Sequence, residues 1–96
     1  MSQPLTIVAI IKAVPGHEDT LAELLEGLVA PTLAEAGCLQ YDLHRDHEEP
    51  GRFLFFENWA TKEEWLAHME SPHLAAYKKA GEEHAASTEI FQMGKV

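Results

Sequence analysis

Basic residues are scarce in this chain: 7 Lys and Arg stand against 16 Asp and Glu in 96 residues, a formal net charge of −9. No Lys/Arg-rich run occurs anywhere, which argues against nucleic acid or an anionic membrane surface as a partner. Cysteine is almost absent. The one present, Cys38, cannot form an internal disulfide, and at the start of an apolar strand it reads as a small buried hydrophobe rather than a nucleophile. No apolar run approaches the roughly 18 residues of a membrane span, and no basic segment followed by an apolar one opens the chain. The cytoplasm is therefore the expected location. G-x-G-x-x-G and P-loop patterns are missing too, so a nucleotide cofactor is not expected.

What remains is 46% hydrophobic, enough for one core and a subunit interface, and too short for two cores. Residues 1–96 are expected to form a single domain, without repeats, linkers or low-complexity segments. Six histidines are the notable polar feature, because their charge changes near neutrality.

Leu5–Val14 is β-branched and nearly continuously apolar, a strand covered on both faces, and it stops at Pro15-Gly16. Glu18 to Ala36 has a helical stripe of Leu21, Leu24, Leu25 and Leu28. Pro31 should kink it and Gly37 should cap its end. Cys38–Asp46 alternates, with Leu39, Tyr41 and Leu43 on one side and Gln40, Asp42 and His44 on the other. The polar turn His47–Gly51 leads back through an aromatic strand, Arg52–Ala60, to complete a hairpin. Thr61 and Glu64 form a capping box for a short helix. Ser71-Pro72 starts another, along which His73, Tyr77, Ala80 and His84 share a side. Thr88–Met93 is the last strand. The order β-α-β-β-α-α-β is that of an α+β, ferredoxin-like split βαβ fold. Its helices cover one sheet face only, yet the strands are apolar on both, so a homodimer packed through the sheet faces is expected.

The stretch Phe53–Tyr77 concentrates the chemistry. Strand alternation puts Glu57 on one face with Phe55 and Trp59, while Asn58 faces the other way. Helical spacing puts Trp65, His68 and Met69 on one stripe. A carboxyl group, an imidazole and aromatic walls make a pocket suited to proton transfer. Glu57 reads either as a general base, its pKa raised by burial, or as a polar residue satisfied by a buried hydrogen bond or by an ion pair such as one with Lys12 or Arg45. His68 reads as a base or as a hydrogen-bonded core histidine. His73 suits capping or orientation, and Tyr77 could meet a substrate oxygen or simply pack. Trp59 and Trp65 are core residues or a stacking wall for a ring. No metal is expected. His44 and His47 point to different faces, His68 and His73 straddle a helix break, and no H-x-x-x-H pair exists.

These residues resemble the antibiotic biosynthesis monooxygenase superfamily, most closely its quinol monooxygenase branch. The resemblance spans essentially the whole chain: Pro15-Gly16, Glu35-Ala36-Gly37-Cys38 into Tyr41, Phe56-Glu57-Asn58-Trp59, then Trp65, His68 and Ser71-Pro72-His73-Leu74. It implies a dimeric α+β barrel that oxygenates a small, electron-rich aromatic such as a quinol, with no metal, flavin or haem. The resemblance tips His68 toward a catalytic role, with Glu57 as its candidate partner; Trp65, Tyr77, His73 and Trp59 are the candidate substrate-binding residues. Haem-degrading relatives carry an asparagine and a histidine where this chain has Ala9 and Lys78, which argues against haem. Two alternatives stay open. One is isomerisation of a small hydroxy-ketone of the autoinducer-2 breakdown type, and the other is a non-catalytic, dimeric small-molecule-binding protein.

Overall fold

In the computed structural model, which describes residues 4–96, the apolar first strand is the axis of the fold. β1 (Leu5–Ala13) pairs antiparallel on one side with β3 (Arg52–Trp59) and on the other with β4 (Ala85–Met93). β2 (Cys38–Arg45) completes the order β2-β3-β1-β4 by pairing with β3. This is the expected ferredoxin-like α+β arrangement. Ile7, Ala9 and Ile11 of β1, Phe53, Phe55 and Trp59 of β3, and Tyr41 of β2 are buried in one cluster with Leu21, Leu25 and Leu28. Full burial of each large side chain contributes about 1.5–3 kcal/mol. Trp59 and Phe53 are among the largest with no appreciable exposure.

The helix expected over Glu18–Ala36 is two helices, α1 (Glu18–Glu26) and α2 (Val29–Leu33). The chain breaks at Gly27–Leu28 rather than kinking at Pro31. Proline has no N–H to give the Gly27 carbonyl, and its ring crowds that oxygen. The turn tightens instead, with Leu28 N donating to Leu25 O at 3.1 Å. Since α2 ends at Leu33, Gly37 does not cap it. Gly37 adopts φ +82 in the turn into β2, a conformation available to glycine at little cost.

Two strand expectations also change. The pairing of β2 with β3 slips between Cys38 and Gln40, so Leu39 is extra on its strand and lies 58% exposed instead of joining Tyr41 and Leu43. Cys38, at the same irregularity, is only partly buried. β4 begins at Ala85, three residues earlier than the alternation suggested.

The short helices follow their caps. Glu64 N donates to Thr61 Oγ1 at 3.2 Å, and Thr61 Oγ1 donates to Glu64 Oε1 at 3.0 Å, opening α3 (Lys62–Met69). Leu74 N donates to Ser71 Oγ at 3.3 Å, opening α4 (Pro72–Gly81). α4 stops before His84, which therefore does not share its face with His73 and Tyr77. His84 lies in the connection to β4, its Nδ1 2.7 Å from Nδ1 of His17.

The other sheet face carries no helix. A row of Phe56, Val8 and Phe91 crosses three strands there through paired positions. Phe56 and Phe91 are 36% and 39% exposed. The longest described helix has 10 residues, and none is long and apolar enough to cross a membrane.

Candidate active site

β3 and α3 bring the two candidate proton-transfer groups under the sheet. Alternation along β3 buries Phe53, Phe55, Glu57 and Trp59 on one face. On α3, spacings of three and four turn Trp65, His68 and Met69 toward that face, with Trp65 and His68 buried. Glu57 and His68 are 4% and 2% exposed. The His68 ring packs 4.8 Å from Trp59 and edge-on to Tyr41 at 5.6 Å, centroid to centroid.

Among the described residues no cation stands beside Glu57. Lys12 is 3.9 Å from Glu49, and Arg45 is 3.0 Å from Asp19, so neither neutralises it. Among the described residues its one side-chain hydrogen bond comes from Trp59 Nε1, at 2.9 Å to Oε1. Burial raises the Glu57 carboxyl to about 7; the Trp59 bond opposes this and the charge of Glu35 adds to it. Such a group is shared between acid and carboxylate forms at neutral pH. Burial also lowers the pKa of His68, against the opposing pull of Glu35, so the neutral imidazole prevails there.

The residue that sequence reasoning did not place in the site is Glu35, in the link between α2 and β2. Its Oε2 lies 2.6 Å from His68 Nδ1 and 2.9 Å from His73 Nε2. The helix break that separates the two histidines in sequence thus brings them onto one carboxylate, and the three side chains form a potential metal-ligand set. Donor atoms sharing a tetrahedral zinc at about 2.0–2.1 Å stand about 3.3 Å apart. The two contacts on Glu35 are instead hydrogen-bond lengths, and to ligate an ion beside the two nitrogens its Oε2 would have to draw back from both.

A cavity of about 210 Å³ lies between the sheet and α1, α3 and α4. A well-studied engineered cavity of about 150 Å³ accepts benzene, so one or two aromatic rings are within its capacity. Its walls include Leu25, Phe55, Trp65, Leu74 and Ile90, with Glu57, His68, Tyr77 and Lys78 as polar groups. Burial pushes the Tyr77 phenol above its ordinary value. Trp65 and Tyr77 both line the cavity. Trp59 and His73 do not line the cavity. Trp59 lies behind it as the donor to Glu57, and His73 beside it on Glu35.

A ferredoxin-like sheet with an apolar cavity beneath it, walled in part by a carboxyl group and an imidazole, defines the class of this small α+β protein. The chain belongs to the antibiotic biosynthesis monooxygenase family, whose pattern is matched by residues 4–80. It is 31% identical over 78 residues to "Putative monooxygenase Rv0793" of Mycobacterium tuberculosis, covering 81% of this chain and 76% of that protein. It is 28% identical over 86 residues to "Probable quinol monooxygenase YgiN" of Escherichia coli, covering 79% of this chain and 83% of that one. A Synechocystis protein of uncharacterised function is 29% identical over 70 residues, 73% of this chain, which spans about half (48%) of that relative's length. Among solved structures, PA3566 of Pseudomonas aeruginosa superposes with a TM-score of 0.96 at 38% identity, covering 100% of this chain and 97% of that one.

Proposed function

We propose that the protein is a cofactor-independent monooxygenase acting on a small aromatic quinol, with His68 as the base. The observation carrying this reading is the buried, neutral imidazole of His68 in the wall of an apolar cavity sized for one or two rings. His68 takes a phenolic proton from the quinol. The phenolate gives one electron to O₂, and the resulting radical and superoxide combine to form a carbon–oxygen bond. Breaking the O–O bond leaves one oxygen on the ring and releases the other as water. Quinol plus O₂ becomes hydroxyquinone plus water, and the substrate supplies all the electrons. Glu57, near half-protonation at neutrality, can donate a proton to the departing oxygen. The apolar walls keep bulk water from the radical pair. The name of the Escherichia coli relative agrees with this substrate class.

Glu57 beside His68 also suits a second reading, isomerisation of a small hydroxy-ketone, in which one group removes a proton and the other returns it. A panel of quinols and hydroxy-ketones monitored with an oxygen electrode separates the readings. One O₂ consumed per quinol supports the oxygenase. Product without uptake supports the isomerase, and binding without turnover a non-catalytic carrier. The uncovered Phe56–Val8–Phe91 row supports a homodimer joined through the sheet faces.

A further inference from the structure

We propose that Glu35 is a positioning residue that locks His68 in the tautomer with its proton on Nδ1, leaving Nε2 bare toward the cavity as the basic nitrogen. The proposal rests on the reading of His68 as the base. It begins with the chemistry of the contact. A carboxylate only accepts hydrogen bonds, so the 2.6 Å approach of Glu35 Oε2 to His68 Nδ1 requires a hydrogen on Nδ1. In a neutral imidazole the other nitrogen then carries the lone pair. His68 lines the cavity while Glu35 does not, so Glu35 meets the ring at Nδ1 and the cavity is left to its other edge. The Nδ1–H form is the less common neutral tautomer of free histidine, and the basic edge would otherwise be capped by a hydrogen.

Three features make Glu35 a fixed acceptor. The same Oε2 takes a second hydrogen bond, from His73 Nε2 at 2.9 Å, which ties the carboxylate to α4 as well as α3. Its backbone is pinned on both sides, with Glu35 N donating to Thr32 O at 3.0 Å and Cys38 N donating to Glu35 O at 3.2 Å. The His68 ring cannot freely turn over, being packed against Trp59 and Tyr41. When Nε2 accepts a proton, the imidazolium finds a negative charge already in contact, with no rearrangement of its surroundings. A serine protease uses an aspartate in the same way, to hold a histidine's tautomer and stabilise its charged form.

The test is long-range ¹H–¹⁵N NMR on histidine-labelled protein above the pH at which His68 titrates, together with steady-state kinetics on a quinol consumed by the wild type. His68 in the wild type should show a protonated Nδ1 and a bare Nε2. Glu35→Ala should move it toward Nε2–H and lower kcat by roughly 10²–10⁴-fold, the range of a general base, while KM stays within a few-fold. A wild-type His68 protonated on Nε2 overturns the proposal, and that measurement needs neither a variant nor a substrate. An unchanged tautomer in a folded Glu35→Ala protein, which has no acceptor for Nδ1–H, overturns it equally. A shifted tautomer with full turnover supports the positioning of the ring but removes His68 as the base, so the two claims fail separately.

Discussion

Glu57 and Trp59 stand two residues apart on one face of β3, and among the described residues the Trp59 indole N–H is the one hydrogen bond donor to the Glu57 carboxyl, at 2.9 Å. A single neutral donor does not offset the loss of water around a carboxylate, which is why the group stays partly protonated at neutral pH.

That raised pKa has a signed consequence for stability. Between the ordinary carboxyl value of 4.5 and about 7, the folded chain holds a proton on Glu57 that the unfolded chain has released. The Glu57 contribution is therefore full below about 4.5 and is lost as pH rises to about 7, on the order of 3 kcal/mol in all. Urea unfolding of wild type and Glu57→Gln at pH 5 and pH 8 checks it. The variant should gain on the wild type at pH 8, and equal differences at the two pH values would contradict the assignment.

His68 carries the opposite sign. Its lowered pKa means that the folded chain resists a proton which the unfolded chain accepts near 6.5. Its contribution is present above that value and declines as pH falls. For turnover, the acidic limb of the pH–rate profile should lie below the ordinary histidine range. His68→Ala should remove that limb and slow the reaction roughly 10²–10⁴-fold. Full activity in that variant would shift the role of base to Glu57.

Much of this arrangement could be read from the residues, because it follows local periodicity. The face of Glu57 comes from strand alternation and that of His68 from helical spacing, and both caps announced themselves as Thr61/Glu64 and Ser71-Pro72. Glu35 was not legible as a partner. It sits in an aperiodic link, and its contacts join residues 33 and 38 positions apart. Its only trace was the run Glu35-Ala36-Gly37-Cys38, which carried resemblance but no role. Leu39 was misplaced for a related reason, since one extra residue in a strand inverts the alternation on which the reading depends. Trp59 and His73 each carry two readings in the sequence, ligand contact or a core and orienting role, because they neighbour the right residues. Which side of Glu57 and His68 the cavity occupies is a matter of packing between elements.

The sheet surface gives a third expectation. Sedimentation at micromolar concentration should return twice the 10.7 kDa chain mass. Phe56→Asp, which places a charge in the middle of the Phe56–Val8–Phe91 row, should yield monomer or aggregate. A wild-type monomer would remove the case for sheet-to-sheet association.

Gly37 supplies a fourth. A side chain there would be held at φ +82, and its Cβ would run into the Glu64 carboxyl group. Gly37→Ala should cost about 1–3 kcal/mol, measurable as a lower urea midpoint with an unchanged slope. A midpoint equal to the wild type would show that the turn relaxes freely.

One imidazole separates two territories in this protein. Glu35, itself tied to His73, holds Nδ1 of His68, while His68 also shares the cavity wall with apolar residues such as Leu25, Trp65 and Ile90. Exchanges among those wall residues can reshape what fits without disturbing the hydrogen bonds that Glu35 makes to His68 and His73. Selectivity and reactivity are thereby free to diverge, and relatives with the same polar trio need not share a preferred molecule.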